Sequence, residues 1–153
     1  MVRKREITLR EARRADLLSV FRIEKQSFPQ PWSYTAFERF LGNPGFVVAE
    51  HNKTVVGYVV GDSIRNHGTP LGHVKDLAVR SDYRGNGIGR LLFGRAVEVL
   101  RSQGVDRVKL EVRTTNETAL GLYRDFGFHV DHIVSGYYND GDDAYVMYKR
   151  LDR

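Results

Sequence analysis

The 153-residue sequence contains no cysteine, which excludes disulfide cross-links, thiolate metal sites and cysteine nucleophiles. No apolar run approaches the roughly 18 residues that a membrane-spanning helix needs, and the charged start leads into no apolar signal core. The chain has only four prolines, and no repeat or linker interrupts it. We therefore expect one domain over residues 1–153, located in the cytoplasm and without membrane contact.

Positive charge is in modest excess. The formal net charge is +5, and the basic residues are spread from Arg3 to Arg153 rather than gathered in one block. Such an excess fits a nucleic acid, an anionic surface or a polyanionic cofactor as partner, and it equally fits a solvated basic surface. Hydrophobic residues make up 41% and charged residues 28%, which is the balance of a globular domain with a core. Composition therefore leaves nucleic-acid binding open and selects no function.

Hydrophobic periodicity and turn residues predict strands and helices in the order β-α-α-β-β-β-α-β-α-β-β, an α/β domain with a mixed sheet. The clearest helix follows a glycine-rich segment and ends at Gly104. The predicted strands cover residues 6–10, 46–51, 55–62, 73–79 and 107–113 and two segments around a turn at 139–143, and the predicted helices begin at Asp16, Ser33, Ile88 and Asn116.

The glycine-rich segment 83–90 lies between a predicted strand and a helix. Unpaired backbone N–H groups and the positive end of the helix dipole attract phosphate at such a position. The segment is not a P-loop, because no Gly-Lys-Ser/Thr follows, and Arg90 replaces the last glycine of a dinucleotide fingerprint. ATPase and dehydrogenase activities are therefore disfavoured, while phosphate binding and ordinary turn glycines both stay open.

Two motifs resemble those of the GNAT acetyltransferases. Arg84-x-x-Gly87-x-Gly89 follows the strand at 73–79, and Asn116-x-x-Ala119-x-x-Leu122-Tyr123-x-x-x-Gly127-Phe128 follows in the expected register. The similarity is greatest to the RimI and archaeal N-terminal acetyltransferase branch. It implies a GNAT fold, with a mixed, mostly antiparallel sheet of about seven strands and about four helices. Asp76 in an otherwise apolar strand and Arg84-Gly85 in place of Arg-Arg depart from the family pattern.

The resemblance implies acetyl-CoA as cofactor, released as coenzyme A. In the family, backbone N–H groups of the loop bind the pyrophosphate, and the preceding strand pairs with the pantetheine arm. The cofactor-binding residues implied here are Leu77, Ala78, Val79, Arg84, Gly85, Asn86, Gly87, Ile88, Gly89, Arg90, Asn116 and Tyr123.

Glu111 is the candidate general base. Alternation along the strand places it with Lys109 and Arg113 on one face, which by itself indicates only a polar face. The resemblance implies the base at this position, because an ammonium must lose a proton before it attacks a thioester. A carboxylate pKa near ~4.3 against an amine near ~8 makes direct transfer uphill, so we expect a water relay or a raised Glu111 pKa.

Tyr123 and His73 are the other catalytic candidates. The helical pattern predicts that Ala119, Leu122 and Phe126 face the core and that Tyr123 does not. By resemblance Tyr123 is the acid that protonates the departing thiolate, and otherwise it is a half-buried aromatic. His73 matches the position of a second base in some N-terminal acetyltransferases, and otherwise it is an ordinary strand residue.

The acceptor side is predicted from aromatic and proline residues in two loops. By resemblance they hold the peptide N-terminus, and otherwise they serve packing. These substrate-binding candidates are Phe28, Pro29, Trp32, Tyr137 and Tyr138.

No metal site is expected. His129 and His132 are three apart on a predicted strand and should face opposite ways, and His51 and His67 lie near strand ends or loops. The acidic segment 139–143 lacks the length and distal glutamate of a calcium loop.

The resemblance implies transfer of acetyl to the N-terminal α-amine of a protein, by direct attack in a ternary complex. Acetylation of a lysine side chain or a small amine is the alternative within enzymes, and a non-catalytic acetyl-CoA or RNA-binding module is the alternative outside them. The expected partners are a protein or peptide N-terminus and the ribosome, with nucleic acid not required. The chain is expected to be a monomer or weak homodimer.

Overall fold

The computed structural model describes residues 2–65 and 68–151, so His67 lies outside the described residues. In these residues one seven-stranded sheet has the order β1-β2-β3-β4-β5-β7-β6, and four α-helices pack on it. The α/β class and the mostly antiparallel mixed sheet are as predicted. The strands are β1 Thr8–Glu11, β2 Phe46–His51, β3 Thr54–Ile64, β4 Leu71–Val79, β5 Arg107–Arg113, β6 His129–Val134 and β7 Ala144–Arg150, and the helices are α1 Leu17–Ser27, α2 Tyr34–Glu38, α3 Ile88–Ser102 and α4 Glu117–Asp125.

The sheet carries one hydrophobic core on each face. In β2, Phe46 and Val48 pack with α1 and α2, while the alternate residues Val47 and Ala49 pack with α3 and α4. Period-two alternation of side chains produces this division, and all four residues are almost fully buried. The two cores therefore hold the helices that bear candidate site residues against the two faces of the sheet.

A gap opens in the sheet between β4 and β5. The two strands run parallel and pair only at Gly72–Val108 and His73–Lys109, after which they separate. A bulge in the β3–β4 ladder pairs Gly61 with Val74 and Val60 with Asp76, leaving the residue between them as an extra one in β4. Backbone groups of β4 beyond His73 are therefore left without a strand partner on the β5 side.

The first elements differ from the sequence prediction. Lys4–Glu6 forms a 3-10 turn, so β1 begins at Thr8 rather than at Glu6. Asp16 was expected to cap α1, but its carboxylate accepts hydrogen bonds from the Arg10 guanidinium at 2.7 and 2.9 Å and from the Arg13 N–H at 2.8 Å. Arg10 competes successfully for the carboxylate because it offers two charged donors.

The prediction for the faces of α4 is wrong. Leu120 and Tyr123 are 3% and 9% exposed and belong to the core, whereas Ala119, Leu122 and Phe126 are only partly buried. The Tyr123 ring packs 4.9 Å from that of Phe93 on α3. Both stripes of α4 are apolar, and periodicity does not determine which one faces inward.

Candidate active site

The glycine-rich loop ends at the start of α3 in a conformation that presents backbone N–H groups. Gly85 and Gly87 have φ values of +83° and +80°, which favour glycine. Gly87 is the N-cap of α3 and gives no side-chain hydrogen bond to the first turn. The first N–H groups of the helix therefore lack a capping partner, and the positive end of the helix dipole is open to an anion.

A cavity of about 1050 Å³ passes through the gap between β4 and β5. It joins the face that carries α1 and α2 to the face that carries α3 and α4. Fifteen of the predicted site residues line it: Phe28, Pro29, Trp32, Leu77, Ala78, Val79, Arg84, Gly85, Gly87, Gly89, Arg90, Glu111, Asn116, Tyr123 and Tyr138.

Four predicted residues do not line the cavity. The Ile88 side chain is buried in the core, and the Asn86 side chain accepts the Val2 N–H at 3.1 Å and donates to the Tyr83 carbonyl at 2.9 Å. Asn86 therefore holds the N-terminal segment against the loop. Tyr137 and His73 also do not line the cavity. Tyr137 is 46% exposed, and its ring packs against that of Tyr138.

His73 and Glu111 form a close pair across the start of the gap. His73 Nε2 lies 2.6 Å from Glu111 Oε1, and both side chains are largely buried. Because a carboxylate only accepts, Nε2 carries a proton, while Nδ1 is buried and has no hydrogen-bond partner among the described residues. Lys109 Nζ lies 3.4 Å from the other Glu111 oxygen.

Glu111 does not have the raised pKa that was considered as one route to proton transfer. Burial acts to raise the pKa, but the hydrogen bond and charge of His73, with a further contribution from Lys109, outweigh it and hold the pKa of Glu111 below its usual range. The carboxylate is thus ionised at neutral pH and able to accept a proton, although it is a weak base.

Tyr123 approaches the cavity from α4, on the opposite side of the gap from Glu111. Burial raises the pKa of its phenol. The hydroxyl therefore stays protonated and is a hydrogen-bond donor at every ordinary pH. The cavity thus has an ionised acceptor on one side and a neutral donor on the other.

Comparison with known proteins agrees with this geometry. Residues 17–128 match the Acetyltransferase (GNAT) family. The chain belongs to the GNAT acetyltransferase family. The Mycobacterium tuberculosis N-alpha-acetyltransferase RimI is 38% identical over 92% of this chain and 90% of its own, and the Escherichia coli ribosomal protein bS18-alanine N-acetyltransferase is 30% identical over 92% and 95%. A chain of the NatC complex, solved with a Gag peptide and CoA, superposes with a TM-score of 0.90 at 25% identity, covering 96% of this chain and 99% of that one.

As a GNAT acetyltransferase the protein uses acetyl-CoA, and its residues fit that cosubstrate. The open N-terminus of α3 and the flanking Arg84 and Arg90 suit a pyrophosphate. The unpaired edge of β4 at residues 77–79 suits an extended amide chain such as pantetheine. Asn116 lines the cavity while its side chain caps α4 by accepting the Ala119 N–H at 3.2 Å.

The part of the cavity that is predicted to hold the acceptor, here called the acceptor half, is lined by Phe28, Pro29, Trp32 and Tyr138, and the two loops that bear these residues contact each other. Trp32, from the α1–α2 loop, packs on Phe37 and Phe40, with ring centroids 5.1 and 5.7 Å away. In the β6–β7 loop, the Asn139 N–H donates to the Gln30 side chain at 3.1 Å. This hydrogen bond joins the β6–β7 loop to the α1–α2 loop.

Tyr138 on the β6–β7 loop is held by Arg113, a β5 residue for which no role beyond the strand was predicted. The guanidinium lies 4.0 Å from the centre of the Tyr138 ring and makes ion pairs with Asp140 and Asp142 at 3.0 and 2.7 Å. Burial raises the pKa of Tyr138 to about 12. Alternation along the strand places Arg113 on the same face as Glu111, but it does not predict that Arg113 contacts the β6–β7 loop.

Two acidic residues that line the cavity were not predicted as site residues. Glu24 is 2% exposed on α1, and Asp76 is the polar residue of β4 that departs from the family pattern. They are 52 residues apart in sequence, so only the sheet register and the packing of α1 bring them together.

The described part of the chain contains neither a metal-ligand cluster nor a membrane-spanning helix. Within residues 2–65 and 68–151, no group of three or more His, Asp or Glu side chains is arranged to hold a metal ion. A bulge between Val130 and His132 in β6 breaks the simple alternation that was assumed for His129 and His132. No helix among the described residues has the length and apolarity to cross a membrane.

Proposed function

We propose that this GNAT enzyme transfers acetyl from acetyl-CoA to the N-terminal α-amine of a protein or peptide. The observation that carries the proposal is that one cavity is lined by Glu111, which His73 contacts, by Tyr123, and by Trp32 and Tyr138 of the two loops. The names of the two curated relatives support an α-amine as acceptor. The name of the Escherichia coli relative favours a ribosomal protein N-terminus as the substrate of this enzyme.

Glu111 serves as the base for the attacking amine. Between free groups, proton transfer from an α-ammonium to a carboxylate is uphill by about 5 kcal/mol, since their ordinary pKa values differ by about 3.7. With a pKa near ~8 a fraction of the α-amine is already neutral at neutral pH, and this neutral amine attacks; its nitrogen becomes far more acidic once the C–N bond forms, so Glu111 takes that proton directly or through one water. His73 holds the carboxylate in place with its Nε2–H, 2.6 Å away.

Tyr123 serves the leaving group. Bound acetyl-CoA supplies an activated acyl carbon and a thiolate that departs. The buried Tyr123 hydroxyl, kept protonated by its surroundings, donates a hydrogen bond or its proton toward that sulfur. The chain has no cysteine to form an acyl-enzyme through sulfur, which supports direct attack in a ternary complex.

Dependence on acceptor length tests the proposal. We expect kcat/KM to rise from an amino-acid amide to a tetrapeptide, because Phe28, Trp32 and Tyr138 can contact residues after the first. Initial rates with Ala-, Ser- and Met-initiated series provide the measurement. A small-amine acetyltransferase would show no gain with length. Ribosome association, a monomeric or weakly dimeric state and a cytoplasmic location stay predictions.

A further inference from the structure

The N-terminal segment, from Val2 to Glu6, lies against the glycine-rich loop and is held at both of its ends. The Val2 N–H donates a hydrogen bond to the Asn86 side chain at 3.1 Å. At the other end, Glu6 Oε2 lies 3.4 Å from His51 Nε2, and His51 Nδ1 lies 2.8 Å from the hydroxyl of Tyr83 at the start of the loop. Both ends of the segment are therefore connected to the loop.

Lys4 lies in the middle of this segment and beside the first turn of α3. It begins the 3-10 turn Lys4–Glu6, and its carbonyl accepts the Ile7 N–H at 3.1 Å. The Lys4 Cε atom lies 3.9 Å from the position that a Cβ on Gly87 would occupy. Gly87 is the N-cap of α3, where the first N–H groups of the helix have no side-chain capping partner. The ammonium group, one bond beyond Cε, is therefore close to the atoms that suit the pyrophosphate.

Lys4 is exposed and carries a charge that no acidic side chain in the described part of the chain neutralises. None of the ion pairs there includes Lys4. Both arginines of the loop are already engaged. Arg90 pairs with Asp125 at 2.8 Å, and the Arg84 guanidinium donates to a backbone carbonyl at 3.0 Å and to a serine hydroxyl at 3.2 Å. Lys4 can therefore contact a phosphate oxygen without first breaking an ion pair within the protein.

We propose that Lys4 is a binding residue for the pyrophosphate of acetyl-CoA and that the anchored N-terminal segment holds it in position. The backbone N–H groups of α3 contribute partial charges at this site, and Lys4 adds a full positive charge. Lys4 lies outside the two motifs that resemble the family, so neither motif assigns it a role. Acetyl-CoA is the cosubstrate whichever amine accepts the acetyl group, so the inference does not depend on the identity of the acceptor.

Direct binding of coenzyme A to the full chain tests the role of Lys4 without turnover. Lys4→Met removes the charge and keeps a long aliphatic side chain, whereas Lys4→Arg keeps the charge. Arg5→Met removes the same charge from the next residue and is the matched control, because consecutive residues of a 3-10 turn are about 120° apart. At about 0.15 M salt, we expect calorimetry to give a Kd that rises about three- to tenfold in Lys4→Met and stays within about twofold of wild type in Lys4→Arg and Arg5→Met.

Dephospho-CoA locates the contact within the cosubstrate, because it keeps the pyrophosphate and lacks the 3′-phosphate of the ribose. We expect Lys4→Met to weaken the binding of dephospho-CoA by the same factor as that of coenzyme A. Three results would overturn the inference. Wild-type affinity of Lys4→Met for both ligands would mean that Lys4 is only a solvated surface residue. An effect confined to coenzyme A would move the contact to the 3′-phosphate. Equal losses in Lys4→Met and Arg5→Met would mean that the net charge of the segment acts, rather than the position of Lys4.

The role of the anchor is tested in an Asn86→Ala background, where the segment loses the hydrogen bond at Val2. We expect Lys4→Met to change the coenzyme A Kd by less than about twofold there, because Lys4 is no longer held beside the loop. A cost as large as that in the wild type would overturn the role of the anchor. Should Asn86→Ala bind coenzyme A too weakly to measure, His51→Ala, which releases Glu6, takes its place.

Discussion

Replacing Glu111 by Gln should lower turnover strongly without disturbing the fold or the acetyl-CoA site. Glutamine has nearly the same shape and can still accept the His73 Nε2–H, 2.6 Å away. The ion pair with Lys109 is lost, but at 3.4 Å and with Lys109 27% exposed it contributes at most about 1 kcal/mol. The main loss is the proton acceptor, for which general-base catalysis typically accounts for about 10²–10⁴ in rate.

We expect kcat to fall about 100- to 1000-fold, equivalent to about 2.7–4.1 kcal/mol in the activation free energy. The acetyl-CoA KM should change by no more than about twofold, because Glu111 lies toward the acceptor half. Release of the coenzyme A thiol can be followed continuously with a thiol reagent, since the enzyme has no cysteine to contribute background. Glu98→Gln, at an exposed carboxylate on α3, controls for the substitution itself.

A double substitution sharpens this prediction. His73 and Glu111 are in direct contact and should act as one unit, so His73→Gln with Glu111→Gln should cost little more than Glu111→Gln alone. Full turnover of Glu111→Gln at neutral pH would refute the assignment of the base. Additive losses would refute the coupling to His73.

Four further predictions concern separate parts of the molecule. Tyr123→Phe should lower kcat about tenfold or more with peptide binding retained, because the leaving sulfur loses its donor, and steady-state rates measure it. Gly87→Glu should weaken acetyl-CoA binding at least about tenfold by calorimetry, since a negative side chain at φ +80° adds both strain and repulsion near the pyrophosphate. Arg113→Ala should raise the peptide KM several-fold by releasing Tyr138, and Arg113→Lys should not restore it. Asp76→Asn should remove a pH dependence of the free energy of unfolding. Because the pKa of Asp76 is raised in the folded protein, its contribution to stability is present below the ordinary Asp pKa and is lost as the pH rises toward the folded pKa, at up to about 1.4 kcal/mol per pH unit. Urea unfolding across that pH range measures it.

Each of these predictions has an outcome that contradicts it. Unchanged Tyr123→Phe rates at all pH values would remove its role as donor. Tight acetyl-CoA binding by Gly87→Glu would show that the loop does not hold the pyrophosphate. Full recovery with Arg113→Lys would show that charge alone positions the loop, and parallel stability curves for Asp76→Asn and wild type would show that Asp76 is ionised when folded.

Local sequence patterns were sufficient to predict most of the helices and strands and the glycine-rich loop. The loop at 84–90 and the start of α3 follow from glycine positions and helix signals within a few residues of each other. The family resemblance added the assignment of the loop and the preceding strand to acetyl-CoA, which periodicity does not contain. These features could be predicted because each depends on short segments or on a motif shared by many proteins.

Contacts between distant segments could not be predicted in the same way. The placement of Glu24 and Asp76 in one cavity wall depends on the bulge in β4 and on where α1 packs on the sheet. The pKa of Glu111 depends on the parallel register that places His73 beside it. The prediction of the inward face of α4 was wrong because the helix has two apolar stripes, one with Leu120 and Tyr123 and one with Ala119, Leu122 and Phe126. Only packing against α3 decides which stripe faces inward.

The most direct test of the central claim is mass-resolved acetyl transfer to a pair of peptides. One peptide has a free α-amine at Ala, Ser or Met, and the other is blocked at its N-terminus and has an internal lysine. We predict acetylation of the free α-amine only, abolished or strongly slowed in Glu111→Gln. Acetylation of the lysine in the blocked peptide, at a rate comparable to that of the free α-amine, would contradict the claim.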